Sequence, residues 1–374
     1  MQRTPEPIIS EICGRHNLQY SQVLGLRPGT AGAEPMQEIY DTWIDSEFHG
    51  QMAYLARHAP QKYHPEQLLS GAKSLIQVLM PYYRPRTLQP LPAGWGRIAR
   101  YAWGRDYHKV LKKRLAAVCR DLAAEFPGED FRAFVDSGPL DERYYARLAR
   151  FGGIGRNGLL IHPRFGSWIF LGEILTTLPL AGSRLPGVHT AEQLSQSSQS
   201  GAPSLPTDSV PQPGEICPPA CTNCRRKCPT GALRADGRFD ARLCISYLTI
   251  EYPGSIPPEL RPLLGDWLFG CDICQDVCPL NRRVPQTDEA DFKRDIAGQA
   301  LDLQQILALR SREEMVARFA GSPLMRASVE QLLRNACIVA AHSRELHLRP
   351  AIEQLLSHRD PVVAEQADWS LRNI

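Results

Sequence analysis

The sequence predicts a mixed α and β protein built in consecutive parts, and three observations carry that expectation. Helical and strand-like apolar patterns alternate through the first half, cysteines crowd into residues 217–278, and helical spacing alone returns after about residue 300. At 374 residues the chain exceeds the roughly 250–300 at which a single core stops growing, so two or three units are expected. Hydrophobic residues at 43% and charged residues at 22% are globular values that exclude a largely disordered chain or a coiled coil. A net charge of +3 neither demands a nucleic acid nor forbids one.

In residues 1–184, "MQEIYDTWIDSEFHGQMAYLARH" and "YHKVLKKRLAAVCRDLAAEF" have helical spacing, while "SLIQVLMPYY" and "FRAFVDSG" read as buried strands ending in turns, together an α/β unit. Residues 185–215 are poor in large apolar side chains and rich in Ser, Gln, Pro and Gly, the composition of a flexible insertion or linker. Residues 216–285 form a compact, loop-rich cysteine unit. In residues 286–374 the positions Val329, Leu332, Leu333, Ala336 and Ala340, then Ile352, Leu355 and Leu356, then Val363, Ala367 and Leu371 follow helical spacing, with Asp360 and Pro361 placed as N-cap and first helical residue. Short paired helices of this kind are HEAT-like, and plain helical packing is the alternative. The apolar stretches "SLIQVLMPYY" and "SWIFLGEILTTLPLAG" fall short of the roughly 20 residues needed to cross a bilayer. The first residues carry no export signal, so a cytoplasmic location and no membrane partner are expected.

In a reducing compartment, crowded cysteines hold metal more often than they form disulfides. Cys217, Cys221, Cys224 and Cys228 give C-x3-C-x2-C-x3-C-P, and Cys271, Cys274 and Cys278 give C-x2-C-x3-C-P, with Cys244 between the runs. Two-cluster bacterial ferredoxins use C-x2-C-x2-C-x3-C-P, in which the fourth cysteine ligates the other cluster. Crossing the fourth cysteine of each run puts Cys217, Cys221, Cys224 and Cys278 on one [4Fe-4S] cluster and Cys228, Cys244, Cys271 and Cys274 on a second. Cys217 stands one residue farther from Cys221 than that spacing, with two prolines between, and is the least secure of the eight. Two structural zinc sites, each held by four thiolates, are the competing reading. Cys13, Cys119 and Cys337 sit in apolar helical contexts and are expected in the core.

About 200 residues precede the cysteines, more than an electron carrier needs. The stretches "FHGQMAYLARH", "RYAWGRDYHKVLKKRL", "FVDSGPLDERYYARLARFGGIGRNGLLI", "GSWIFLGEIL", "CPTGAL", "ARLCISYLTIE" and "FGCDICQDVCPLNR" stand in one order along nearly the whole chain. In that order they resemble the epoxyqueuosine reductases, cobalamin-dependent iron–sulfur enzymes that complete the queuosine base in tRNA. The extra residue after Cys217 and the long insertion depart from the family pattern.

The resemblance implies an α+β/α arrangement: a nitroreductase-like α/β cobalamin-binding unit, a ferredoxin-like unit with two [4Fe-4S] clusters, and a HEAT-like helical C-terminus. It implies a two-electron removal of the epoxide oxygen of epoxyqueuosine to leave queuosine, on a tRNA anticodon loop, with an unidentified low-potential electron donor and a chain acting as a monomer. Asp136 matches the proton donor, and partial burial at a strand end is expected to keep its carboxyl protonated near neutral pH; otherwise it reads as a turn or capping residue. Arg57, which alone reads as a solvated helix residue, matches a cobalamin contact. "GGIGRNGLL" lacks dinucleotide spacing and by resemblance lies against the corrin, with Asn157 and Leu160 as contacts. Ser246 either faces the space between cluster and corrin or simply starts a helix. Tyr107 and His108 are left without a role, because the family binds cobalamin base-off without a histidine ligand. Lys112, Lys113 and Arg114, and Arg225, Arg226 and Lys227, are either phosphate contacts or solvated faces. A reductive dehalogenase would share the cofactors but carry an export signal and a tyrosine acid. A non-catalytic electron carrier or RNA-binding adaptor with structural metal is a further alternative.

Overall fold

A computed structural model describes residues 4–26, 34–136, 138–180 and 214–374. The expected insertion lies outside the described residues except for its last two positions. Four strands form the main sheet in the order Tyr20–Gly25, Ser74–Pro81, Ile169–Thr176, Phe131–Phe134, and every neighbouring pair is antiparallel. The two central strands are buried along nearly their whole length because both faces of the sheet are covered. Such runs look the same in parallel and antiparallel sheets, which is why the sequence suggested strands without revealing their direction.

One face is covered by the helix Tyr107–Glu125, whose Val110, Leu111, Leu115, Val118 and Leu122 are buried against Ile76, Val78 and Ile174, with Ile9 and Ile12 of the helix Pro5–Arg15 joining the same core. A Cβ on Gly172 would come within 2.9 Å of Leu115, so the absence of a side chain there lets helix and strand approach. On the other face Leu75 and Leu175 pack with Tyr63, Leu140, Tyr144 and Tyr145. The alternation of Ile76, Val78 and Met80 against Leu75, Gln77 and Leu79 follows the two-residue period of a strand. The expected helix over 36–58 is interrupted: Glu34–Asp45 and Ala53–His58 are helical, and between them Glu47 and Gly50 take positive φ while Gly50 lies against the Tyr247 ring.

A second sheet ties the chain together. Trp95–Ile98 is its middle strand, parallel to Trp267–Phe269 and antiparallel to Ala300–Asp302, so all three sequence regions contribute to it. Around it Ile98, Ala102 and Trp103 share a core with Leu268, Leu332, Leu333, Ala336 and Ile352. The helices Val329–Ser343 and Pro361–Asn373 pack on each other with their expected apolar faces inward. Asp360 caps the latter by accepting the Val362 N–H at 2.8 Å, with Pro361 in the first turn, and Ser328 and Gln331 close a capping box on the former.

Buried ion pairs and charge-to-carbonyl bonds align the parts. Asp272, beside the second cysteine run, accepts from Arg100 at 2.9 Å and Arg86 at 3.1 Å. Arg334 donates to the carbonyls of Leu248, Tyr252 and Gly254 at 2.6–2.8 Å, and Asn335 to those of Thr249 and Leu268. Cys13 and Cys337 are buried and Cys119 is half-buried, as expected of core residues, and burial raises the Cys13 and Cys337 thiols to about 12. No helix among the described residues is long and apolar enough to cross a membrane.

Candidate active site and thiol cavities

The eight cysteines of residues 217–278 are free thiols. Cys217, Cys221, Cys224 and Cys278 line one small cavity, and Cys278 feels the charges of Cys217, Cys224 and Cys221. Cys274 feels Cys244 most strongly among the thiols, then Cys224 and Cys228, while Cys271 feels Cys274 and Cys244, so the two runs lie side by side. The short helices Asn223–Lys227 and Ile273–Asp276 each present one cysteine of the C-x2-C pairs, and the prolines after Cys228 and Cys278 end each run.

The extra residue after Cys217 is accommodated by the loop carrying Arg156. Its guanidinium donates to the carbonyls of Pro218, Pro219 and Cys221 at 2.8–3.0 Å, and its backbone N–H points at the Cys217 sulfur at 3.4 Å. The cavity also holds an orphaned donor, the buried Nδ2 of Asn157. No three His, Cys, Asp or Glu side chains among the described residues converge closely enough to hold a single ion. Thiols that stand off around a cavity beside an unpaired N–H fit a sulfide-containing cluster better than a tetrahedral zinc ion, whose ligands must all lie about 2.0–2.3 Å from one point.

A separate cleft of about 670 Å³ opens at the end of the main sheet. Leu159, Leu160, Ile169 and Leu171 give it an apolar wall, and Arg57, Lys62, Arg143 and Arg326 line it together with the acids Asp136, Asp141 and Glu142. An apolar wall with a hydrogen-bonding rim suits a large, flat cofactor with polar edges. At its edge Asp136 follows the strand Phe131–Phe134 and adopts φ 45°, an uncommon conformation for a side chain other than glycine. The Asp136 N–H donates to Glu142 Oε1, and Oδ2 lies 2.8 Å from His108 Nε2 and 3.5 Å from Arg326 Nη1.

The other nitrogen of His108 meets Asp106 at 2.7 Å, and Asp106 also caps the helix Tyr107–Glu125 by accepting the His108 N–H at 3.1 Å. Tyr107 is sandwiched between the His108 and Phe170 rings, each centroid 4.0 Å away. Arg326 is fixed from behind by Glu251 at 2.8 Å.

This arrangement reverses the expected protonation of Asp136. Desolvation pushes its carboxyl up, but the hydrogen bond and charge of His108 and the charge of Arg326 outweigh it and hold the group below the usual carboxylate range. Desolvation lowers His108, yet its bonds to Asp106 and Asp136 raise it to about 9. At neutral pH the pair therefore carries its proton on His108. Behind it, burial lifts Glu142 well above the ordinary range, and Glu173, fully buried and hydrogen-bonded by Gln77 at 2.8 Å, rises to about 8.

The family model described as "Epoxyqueuosine reductase QueG, DUF1730" matches residues 62–137, and the "4Fe-4S double cluster binding domain" matches residues 217–281. The epoxyqueuosine reductase of Pseudomonas aeruginosa is 37% identical over 336 residues, covering 88% of this chain and 85% of the relative. This chain belongs to the epoxyqueuosine reductase family. The family member from Escherichia coli is 36% identical over 88% of this chain and 80% of its own length. A crystal structure of an epoxyqueuosine reductase with an epoxyqueuosine-modified tRNA-Tyr stem loop matches with a TM-score of 0.78 at 25% identity, over 97% of this chain and 89% of that one. The Bacillus subtilis epoxyqueuosine reductase, solved with its catalytic aspartate loop swung out of the active site, matches with a TM-score of 0.76 at 25% identity over the same shares. As a member of this family the chain is an oxidoreductase that uses [4Fe-4S] clusters and cobalamin.

Of the residues expected at the epoxyqueuosine reductase site, Arg57, Asp136 and Leu160 line the cleft. Asn157 lies on the thiol cavity instead, and Ser246, early in the helix Ile245–Ile250, hydrogen-bonds Cys244. Sequence reasoning passed over His108, Arg326 and Glu142. An Asp two residues before His108 is a local signal that could have found the cap, but Arg326 reaches Asp136 across 190 positions and left none.

Proposed function

We infer that this protein reduces the epoxide of epoxyqueuosine in tRNA to the alkene of queuosine, the last step in making that base. The observation that carries the reading is an apolar-walled cleft rimmed with charged side chains, with His108 and Asp136 2.8 Å apart at its edge, in a chain where Cys217, Cys221, Cys224 and Cys278 surround a separate cavity. Cys217, Cys221, Cys224 and Cys278 would hold one cluster and Cys228, Cys244, Cys271 and Cys274 the other, with Asn157 and Ser246 donating to sulfur. Arg57, Leu160 and Asp136 would border the cobalamin. Bound cobalamin supplies a strongly reducing, nucleophilic cobalt, and the clusters supply electrons one at a time.

The chain's own contribution is positional and acid–base. His108 hands its proton through the Asp136 carboxylate, which faces the cleft, to the epoxide oxygen as its C–O bond breaks, so that alkoxide charge does not build up. Asp106 keeps the imidazole aligned for this through Nδ1. Arg326, anchored on Glu251, holds the Asp136 loop inward together with Glu142.

A second hollow of about 350 Å³ is lined by Arg310, Arg312, Arg326 and Arg359 and includes the capped start of the helix Val329–Ser343. It shares Arg326 with the cleft. A continuous basic path from the catalytic cleft suits the phosphates of an anticodon stem loop whose modified base is turned into the site. The cleft is complete within one chain, which suits a monomer, and a tRNA substrate suits the cytoplasm. The units are a cobalamin-binding nitroreductase-like region over 1–184, a ferredoxin-like region over 216–285 and HEAT-like helices over 286–374. The test is anaerobic reconstitution with iron, sulfide and cobalamin, followed by nucleoside analysis of tRNA carrying epoxyqueuosine. Queuosine should appear under strong reduction, and its absence from a fully loaded enzyme would overturn the reading.

A further inference from the structure

We propose that the exposed basic face formed by Arg226, Lys227 and Arg282 is the docking surface for an acidic, low-potential electron-carrier protein that feeds the clusters. The proposal rests on the reading of the eight cysteines as ligands of two clusters. The three cations border a hollow of about 480 Å³ together with Asn223, Asp276 and Val277. All three are at the surface, and none makes a salt bridge among the described residues; Arg226 has only a hydrogen bond to the Asn223 side chain. The one acid of the hollow, Asp276, is drawn inward by Arg100 at 2.6 Å. The face therefore presents uncompensated positive charge, with exposed Arg283 next along the chain adding to it.

Its position relative to the thiols gives that charge a use. Arg226 and Lys227 lie between Cys224 and Cys228, and Arg282 follows Cys278 by four residues, so the face adjoins thiols of both groups. Cys224 and Cys278 are only 8% and 7% exposed. A carrier seated here lies beside the segments that carry these thiols.

The same residues read from sequence as phosphate contacts or a solvated face, but the geometry favours a different partner. The basic path suited to tRNA runs through Arg326 into the cleft, whereas the hollow at Arg226 shares no lining residue with either. Removing the epoxide oxygen as water and forming the alkene consumes two electrons and two protons. Each docked carrier gives up one electron to a cluster and leaves oxidised, so each turnover needs two encounters. Fast, repeated, weak encounters are the regime in which charge steering raises association rates by about 10 to 1,000-fold.

The experiment uses the reconstituted holoenzyme and its Arg226→Glu/Lys227→Glu/Arg282→Glu variant, with iron content matched. Reduced flavodoxin, an acidic one-electron carrier, is mixed with each in a stopped-flow instrument, and cluster bleaching is followed near about 420 nm. The variant should lose at least about tenfold in second-order rate at low ionic strength, and the gap should close as salt rises toward about 0.5 M. Reduction by dithionite and affinity for a tRNA stem loop should keep their wild-type values, and Lys227→Glu alone should give an intermediate loss. An unchanged flavodoxin rate overturns the proposal. A fall in stem-loop affinity with an unchanged flavodoxin rate makes the face a nucleic-acid surface and overturns it as well. Protein that takes up no iron would overturn the cluster reading itself, an outcome separate from a failure of docking.

Discussion

Replacing Asp106 by Asn tests the proton-bearing pair without touching the cleft. Asn caps a helix as well as Asp, so the helix Tyr107–Glu125 keeps its start, and the change removes only the negative charge 2.7 Å from His108 Nδ1. A hydrogen bond to a charged group contributes about 1.5–3 kcal/mol, and about 1.4 kcal/mol corresponds to one pH unit. The proton of the His108–Asp136 pair, held up to about pH 9, should then leave about one to two units lower. The assay is the pH dependence of kcat for queuosine formation under saturating chemical reductant, with cofactor content matched. Wild-type activity should fall as pH rises through about 9, the raised value of His108, and the variant should lose activity about one to two units earlier while matching the wild type near pH 6. A basic limb that stays in place would refute the idea that His108 holds the proton.

Other expectations follow from the same geometry. Glu173, whose folded-state value of about 8 lies above its ordinary 4.5, contributes stability that is complete below about pH 4.5 and is lost as pH rises through about 8. Glu173→Gln should therefore flatten the decline of Tm between pH 5 and 9, and an equally steep decline in the variant would contradict this. Arg334→Met leaves the carbonyls of Leu248, Tyr252 and Gly254 without their donor and should cost about 3 kcal/mol or more in chemical denaturation. Cys217→Ser should remove about half of the iron, four of eight atoms, without abolishing the absorption of the remaining cluster, whereas full iron retention would exclude Cys217 as a ligand. Arg359→Glu should weaken stem-loop binding and reduce the salt slope by about one, with dithionite-driven cluster reduction unchanged.

Local chemistry explains which features could be read from sequence. The cysteine runs carry their own spacing, and Cys217, Cys221, Cys224 and Cys278 border one cavity, where Arg156, from another part of the chain, points its backbone N–H at the Cys217 sulfur. The helices Tyr107–Glu125, Val329–Ser343 and Pro361–Asn373 showed their periodicity, and the last also its Asp360–Pro361 start, because both are encoded within a few residues. Strand direction was hidden because a sheet covered on both faces has no polar side to alternate. The protonation of Asp136 was misjudged from burial alone, since the opposing charges come from His108, 28 positions away, and Arg326, 190 positions away. Asn157 borders the thiol cavity and Leu160 the cleft, a separation made by the hairpin Gly153–Ile154 with Leu160–Ile161 that no local pattern announces.

The most direct test of the account is single-turnover conversion of an epoxyqueuosine stem loop by wild type and Asp136→Asn, both carrying full iron and cobalamin. General acid catalysis contributes about 10²- to 10⁴-fold, so the variant should form queuosine at least about a hundredfold more slowly while its clusters reduce at the wild-type rate. Wild-type turnover in that variant would contradict the assignment of Asp136 and His108 as the source of the proton.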